Sequence, residues 1–470
     1  MHQLSFFDVF NETEFFSDSS KEPEITEIIV APHTRKKKTT REQKLDGLPI
    51  RIFEHTLSKE ELSKQFPNGY KELPPLVYKR LSIIPQTFLV DEHHVHQYAS
   101  KENDGTIVKA DRTPDLFRNC IATPSLVAAN INGKYNNHLP LERQSRCYRD
   151  SGADLAVNTM ANWMMRASTV YFLILYEKLH EELQKADITH ADETPCEVIR
   201  DGRKAGVKSY MWVYRTSENE DHPVVLYDYQ KTRKTDHPME FLKDFSGIVM
   251  TDGYQVYHSM EKKRSGLKIA GCWVHAKRKY AELVKAAGIK ELDASTAAQG
   301  AKKISEIFHL DGKYSEAPDK TRKAYRQRVV KPKVDAYFKW VKTGIVKLPA
   351  ESNTYKTMQY SLNQEEYLRV FLDHENVPMD NNAAERAIRP FTLGRKNRVN
   401  IDTIRGAEAS AVIYSLVETA KANHLRVYDY FEYILTELTS HQDDTSREFL
   451  ADLMPWSEKA QEKCGHPKKS

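Results

Sequence analysis

Gly247-Ile248-Val249-Met250-Thr251-Asp252-Gly253-Tyr254, followed by Gly271-Cys272-Trp273-Val274-His275-Ala276-Lys277-Arg278-Lys279-Tyr280, decides how this chain is read. Ile248, Val249 and Met250 form a short apolar run that suits a buried strand, and Asp252-Gly253 ends it. Asp252 is thereby expected at a strand tip, where a carboxylate can meet a ligand while its backbone stays fixed. Leu267 to Trp273 reads as the next strand and Val274 to Ala286 as a helix, with a short helix over Gln255 to Met260 between the strands.

Upstream the period is that of strands. Thr189 to Val198, Ser209 to Tyr214 and Val224 to Tyr229 are separated by turn signals at Gly202 and Gly206 and at Asp221-His222-Pro223. A helix is expected at Met239 to Phe245. Three hairpin-linked strands, helix, strand, helix, strand, helix is the order of a ribonuclease H-like α/β domain with a mixed sheet. In that fold one carboxylate lies on the first strand and a second at the end of the fourth, where Asp192 and Asp252 fall. Residues 171–287 are the first part of this core. Residues 288–375 lack strand alternation and read as a helical insertion. Residues 376–440 return to the core, with Glu385 opening a long helix and two more helices at Ser410 to Asn423 and Tyr428 to Leu438. Residues 441–470 read as a polar, mobile tail.

Before the core, residues 1–50 read as a flexible arm. Phenylalanines such as Phe6 and Phe7 lie among acids and serines, and the basic cluster Arg35-Lys36-Lys37-Lys38 follows. Residues 51–112 form a small mixed segment, with short strands at Arg80 to Pro85 and Thr87 to Val90. Residues 113–170 offer helices at Leu126 to Tyr135 and Leu141 to Arg149, a turn at Ser151-Gly152, and a third helix from Asp154. That pattern fits a helix-turn-helix with Asn158, Thr159 and Asn162 toward DNA and Val157, Met160 and Trp163 inward. It equally fits ordinary three-helix packing. Val170 to Lys185 reads as an amphipathic helix.

The chain has 470 residues, 29% charged and 40% hydrophobic, enough for more than one ordinary domain. Its net charge of +4 does not announce a nucleic-acid binder, but its distribution points that way. Lys320 to Lys333 holds seven Lys or Arg and no acid, and Arg386, Arg389, Arg395, Lys396 and Arg398 follow Glu385. Each cluster alone also fits a solvated charged face. Five scattered cysteines without CxxC spacing argue against a disulfide framework. No signal peptide and no membrane span are read. His93, His94 and His96 lack a second ligand pair at zinc-finger spacing.

Asp192, Asp252 and Glu385 together suit a metal-dependent phosphoryl-transfer site, because Mg²⁺ and Mn²⁺ take carboxylate oxygen and two such ions can serve the attacking and leaving oxygens. Asp192 would bridge the ions. Pattern alone leaves blander roles open. Asp252 suits a plain turn, Asp192 a surface strand end, and Glu385 a capping box with Asn382 or an ion pair with Arg389.

His190-Ala191-Asp192-Glu193-Thr194-Pro195, Asp252-Gly253-Tyr254, Cys272-Trp273-Val274-His275, Asp380-Asn381-Asn382-Ala383-Ala384-Glu385-Arg386-Ala387-Ile388-Arg389-Pro390 and Leu393-Gly394-Arg395-Lys396-Asn397 together resemble the transposases of the insertion sequence 66 family, bacterial DDE-type enzymes. The resemblance runs from about residue 110 to 440. It implies Asp192, Asp252 and Glu385 as catalytic metal ligands, for two Mg²⁺ ions with Mn²⁺ as substitute. Cys272 and His275 match a Cys-x-x-His element of several DDE families and are expected to brace the site. Family members usually carry a cysteine-bearing zinc module before the helix-turn-helix. Here Phe66-Pro67-Asn68-Gly69-Tyr70 and His96-Gln97-Tyr98-Ala99 have no cysteine, so no zinc is expected.

The expected activity is hydrolytic cleavage at transposon ends and transfer of the 3′-hydroxyl to target DNA. The expected partners are that DNA, further copies of the chain in a synaptic complex, and accessory element-encoded proteins. The expected place is the bacterial cytoplasm, at the nucleoid. A DNA-binding relative without catalysis and another ribonuclease H-like nuclease are the alternatives.

Overall fold

The computed structural model describes residues 50–71, 74–82, 86–99, 107–204, 206–217, 220–288, 295–314, 318–398 and 400–466. The arm and Arg35 to Lys38 lie outside them. The chain divides into two compact units, Met1–Ile83 with Pro467–Ser470, and Ile84–His466. The stretch 51–112, read as one small segment, is thus divided between them. In the first unit, the helix Lys59–Gln65 starts on a capping box between Ser58 and Glu61 and buries none of its residues.

The expected strands near residues 80–90 are absent among the described residues, 80–82 in the first unit and 86–90 in the second. Ile83-Ile84-Pro85 lies outside the described residues. Gln97–Ala99 instead pairs antiparallel with Ile107–Lys109.

The centre of this unit is a five-stranded mixed sheet. Its strands are β1 (Ile188–Cys196), β2 (Ser209–Thr216), β3 (Val225–Gln230), β4 (Gly247–Thr251) and β5 (Leu267–Gly271), in the order β3-β2-β1-β4-β5. β1, β2 and β3 run antiparallel as hairpins, whereas β4 and β5 lie parallel to β1. β1 is central, so its first four residues are all buried. The first strand was expected to reach Val198; it stops at Cys196, and Val198–Arg200 pairs parallel with Ile401–Thr403.

Helices cover both faces. On one side, α1 (Pro124–Ile131), α2 (Leu141–Asp150), α3 (Val157–Ala167) and α4 (Leu173–Leu183) share one apolar core with the sheet. The 113–170 helices are therefore packed into the same body as the sheet. α5 (Gln255–Lys263), which follows β4, buries Val256, Tyr257 and Met260 in this same core, whereas α6 (Trp273–Ala286), which follows β5, lies on the other side. Trp273, read as the strand's last residue, opens α6, with Cys272 at the N-cap position. A second core joins β4 and β5 to α6, α7 (Thr296–Gly312), α8 (Lys331–Ile345) and α9 (Asn353–Asn363), the helical insertion.

The chain returns through α10 (Asn382–Arg398), α11 (Ile404–Ala422) and α12 (Val427–Ser440). α11 shields the sheet's edge: Ser415 Oγ accepts from the Tyr227 N–H at 2.7 Å and Thr419 Oγ1 from the Val225 N–H at 3.0 Å. Edge groups left open to water or to another chain are satisfied there by side-chain hydroxyls. The expected polar tail differs most. Leu450–Leu453 and Glu458–Cys464 are helical, and Leu450, Leu453, Ala460 and Cys464 are buried in the core, because apolar residues recur there between the charges.

Candidate active site

β1 and β4 pair in the register Ile188↔Ile248 to His190↔Met250. Carrying that register two residues further sets Asp192 abreast of Asp252. The Asp192 Oδ1 accepts the Glu193 N–H at 2.8 Å, and Asp252 Oδ1 accepts the Tyr254 N–H at 2.9 Å. Each carboxylate is thus oriented by its own backbone. Gly253 lies at φ +91°, and a Cβ there would stand 2.8 Å from Gln364 Oε1 and 2.9 Å from Tyr360 Oη. The insertion explains this crowding: the Tyr360 hydroxyl donates to the Asp252 carbonyl at 2.9 Å.

Glu385 comes from the first turn of α10. Its carboxylate faces α6, with Arg278 Nη2 3.4 Å from both oxygens and His275 Nε2 3.6 Å from Oε1. These are its partners, rather than the reciprocal capping box with Asn382. Burial, with the charges of Glu193, Asp252 and Glu385, pushes the Asp192 carboxyl well above the usual carboxylate range. Among the described residues no three His, Cys, Asp or Glu side chains stand together closely enough to enclose an ion.

Cys272 and His275, expected to brace the site, lie at the start of α6. Burial pushes the Cys272 thiol up to about 12, so it stays protonated, and its Sγ accepts the Asn381 N–H at 3.3 Å. His275 is held below the usual histidine value by burial, against the pull of Asp252 and Glu385, and its Nδ1 is buried without a hydrogen-bond partner. Asn381 is fully buried and caps α10, its carbonyl accepting the Glu385 N–H at 3.2 Å. Its side chain accepts from His190 Nδ1 at 3.0 Å and donates to the Ala191 carbonyl at 2.9 Å.

Behind Asp192, the Glu193 carboxylate accepts from Arg233 Nε at 2.7 Å and from the Tyr257 hydroxyl at 2.9 Å. The Arg233 guanidinium stacks 3.7 Å from the Tyr254 ring centroid. This ties β1 to the loop that carries Asp252. Asn381, Arg233, Tyr360 and Arg278 were not singled out from the sequence. Asn381 and Arg278 lay inside stretches that were quoted, but nothing local distinguishes a clamp from its neighbours.

The residues expected to face DNA divide. Asn158, Thr159 and Asn162 are exposed along one face of α3, while Met160 and Trp163 are buried and Val157 is partly buried. Arg386 and Lys396 are exposed and Arg389 is partly buried. Arg395 was expected to extend a phosphate track. Its guanidinium instead turns inward to β1, bonding the Pro195 carbonyl and, at 3.3 Å, Thr194 Oγ1. The Lys320 to Lys333 run is also not a free cationic stripe. Arg326 is fully buried against Asp311 and the Phe371 carbonyl, and Lys331 and Lys333 pair with Asp335 and Glu306.

The fold and site define a mixed α/β protein with an acidic centre assembled from β1, the end of β4 and α10. The chain belongs to the IS66 transposase family: residues 119–409 match the Transposase IS66 family, and residues 415–456 match the IS66 C-terminal element. It is similar to the uncharacterized protein y4qI of Sinorhizobium fredii (strain NBRC 101917 / NGR234), 28% identical over 389 residues that cover 81% of this chain and 70% of that protein. The uncharacterized protein y4jD of the same strain is 26% identical over 393 residues, covering 81% of this chain and 75% of its own length. Among the described residues no helix is long and apolar enough to cross a membrane.

Proposed function

We propose that this chain is a DDE-type DNA transposase with a ribonuclease H-like core, which cleaves DNA at transposon ends and joins the freed 3′-hydroxyl to target DNA. The observation that supports this reading is the strand register that sets Asp192 abreast of Asp252, with Glu385 entering from α10 so that the charges of both raise the Asp192 carboxyl. The donor set fits magnesium or manganese: it is all carboxylate oxygen, and a divalent cation relieves the repulsion that burdens Asp192. Such ions, two per site, would supply the charge that activates the attacking oxygen and steadies the leaving one. Asp192, Asp252 and Glu385 would hold them. No zinc is part of this reading, because the stretches Phe66 to Tyr70 and His96 to Ala99 hold no cysteine.

The chain's own residues do the positioning. Asn381 fixes α10 to β1, Tyr360 holds the Asp252 loop, and Arg233 holds Glu193 behind Asp192. The exposed face of α3 would read transposon ends as the second helix of a helix-turn-helix. Arg386, Arg389 and Lys396 would meet the phosphate backbone. A synaptic assembly of several copies, with accessory proteins of the element, at the nucleoid of a bacterial cytoplasm, belongs to the same reading.

A second reading, DNA binding without catalysis, is favoured by one observation: among the described residues no three His, Cys, Asp or Glu side chains stand close enough together to enclose an ion. Incubating purified protein with labelled element ends and Mg²⁺ or Mn²⁺ separates the two. Strand nicks that vanish in Asp192→Asn, Asp252→Asn and Glu385→Gln, with DNA binding retained, support the transposase. Nicks that persist in all three variants overturn the site. No nicks from the unaltered chain leave the second reading standing.

A further inference from the structure

Arg278 stands one turn beyond His275 on α6 and aims Nη2 at Glu385, 3.4 Å from each carboxylate oxygen. One nitrogen placed evenly between the two oxygens covers the edge by which a carboxylate takes a cation. His275 Nε2 crowds the same group at 3.6 Å from Oε1. The contact is longer than the roughly 2.7–2.9 Å of a strong charge-assisted bond, so little is lost when it opens. The two side chains are 35% and 20% exposed, which leaves the guanidinium open to water on one side.

A guanidinium and a divalent cation cannot both hold that edge, since they need the same oxygens and repel each other. We propose that Arg278 is a DNA-binding residue of this centre, the counter-ion of Glu385 until a divalent cation arrives and thereafter a ligand of the DNA phosphate. The inference rests on the metal-dependent reading of the three carboxylates. Arg278, with His275, accounts for the Glu385 carboxylate facing α6. Once displaced, the guanidinium needs another anion, and the phosphate carried in by DNA is one. A planar fork suits two phosphate oxygens, which the point charge of a lysine does not.

The test is a Mn²⁺ titration of the full chain without DNA, followed by the paramagnetic resonance of free Mn²⁺, together with nicking at saturating Mn²⁺. Arg278→Gln is expected to bind Mn²⁺ about two- to fivefold more tightly, the scale of a partly exposed ion pair. Its nicking rate is expected to fall about 100-fold, as when one preorganised charge is removed from a transition state. Arg278→Lys, which keeps the charge, is expected to fall between in both measurements and guards against a folding defect. Unchanged or weaker Mn²⁺ binding by Arg278→Gln overturns the proposal, as does full nicking by that variant. Glu385→Gln separates the two layers. If it weakens Mn²⁺ binding while Arg278→Gln changes nothing, only the role of Arg278 falls; if it binds Mn²⁺ as the unaltered chain does, the metal-site reading falls and Arg278 with it.

Discussion

The side-chain nitrogen of Asn381 donates to the carbonyl oxygen of Ala191 at 2.9 Å, across 190 positions of sequence. Ala191 precedes Asp192, and Asn381 caps the helix that carries Glu385. One buried amide therefore sets the spacing between two of the three acids, and the Cys272 Sγ holds its backbone from a third element.

Asn381→Ala should unfold about 1–3 kcal/mol more easily, because the Ala191 carbonyl and His190 Nδ1 lose a buried partner. Urea unfolding gives the stability. Nicking should fall further than that loss of folded protein explains, since α10 is released from β1. Full activity at unchanged stability would show that Asn381 does not set this spacing.

Gly253→Ala should be nearly inactive while still binding DNA. An alanine at φ +91° is strained by about 1–3 kcal/mol, and its Cβ meets Tyr360 and Gln364 from the insertion. The loop must shift, and Asp252 with it. Mn²⁺ affinity, read without DNA, should drop alongside nicking. Unaltered Mn²⁺ binding would show that the loop absorbs a side chain without moving the carboxylate.

Much of this architecture was legible beforehand because it is local. The run Ile248-Val249-Met250 before Asp252-Gly253 marks a strand end whatever surrounds it, and the hairpin turns at Gly202 and Asp221 announce antiparallel neighbours. The clamps were not legible. Asn381 meets Ala191, and Tyr360 meets Asp252, only once the sheet and the insertion have packed, and neither side chain carries a pattern along the chain. The inward contact of Arg395 was hidden for the same reason. A cation beside a lysine reads as a solvent-facing pair until β1 supplies a backbone carbonyl for it. The last residues misled differently: Leu450, Leu453, Ala460 and Cys464 are too widely spaced among charges for a strong helical period, yet each finds the core.

Stability should depend on pH through Asp228 on β3. Burial pushes its carboxyl up to about 7, against the Gln230 amide that donates to it at 2.9 Å. The folded value is above the unfolded one of about 3.9, so the folded state holds the proton more tightly. The contribution is full below about pH 4 and is lost as pH rises through about 7. Asp228→Asn, neutral throughout, should be more stable than the unaltered chain by about 1–3 kcal/mol at pH 8, with the gap closing toward pH 4. Urea midpoints across that range decide it; a gap independent of pH would place the titration elsewhere.

Arg395 and Lys396 should respond differently to removal, though they are adjacent. Lys396 is exposed on α10, in the same helix as Glu385, and is the better placed of the two to neutralise a phosphate. Phosphate contacts release counterions, so each one contributes a slope of about 0.9 in the logarithm of affinity against the logarithm of salt. Lys396→Ala should weaken binding to cognate and random DNA alike and flatten the slope by roughly one unit. Arg395 is bound to the carbonyl of Pro195 and to Thr194 at the far end of β1. Its loss leaves those acceptors without their donor, so Arg395→Ala should lower stability by about 1–3 kcal/mol with the salt slope unchanged. Sequence choice should follow α3, so Asn158→Ala and Asn162→Ala should erode the preference for element ends and leave the slope alone. Binding measured over a salt series for these four variants separates the roles. A flattened slope in Arg395→Ala at full stability would show that its guanidinium leaves β1 for the DNA, and an unchanged slope in Lys396→Ala would remove this end of α10 from the phosphate track.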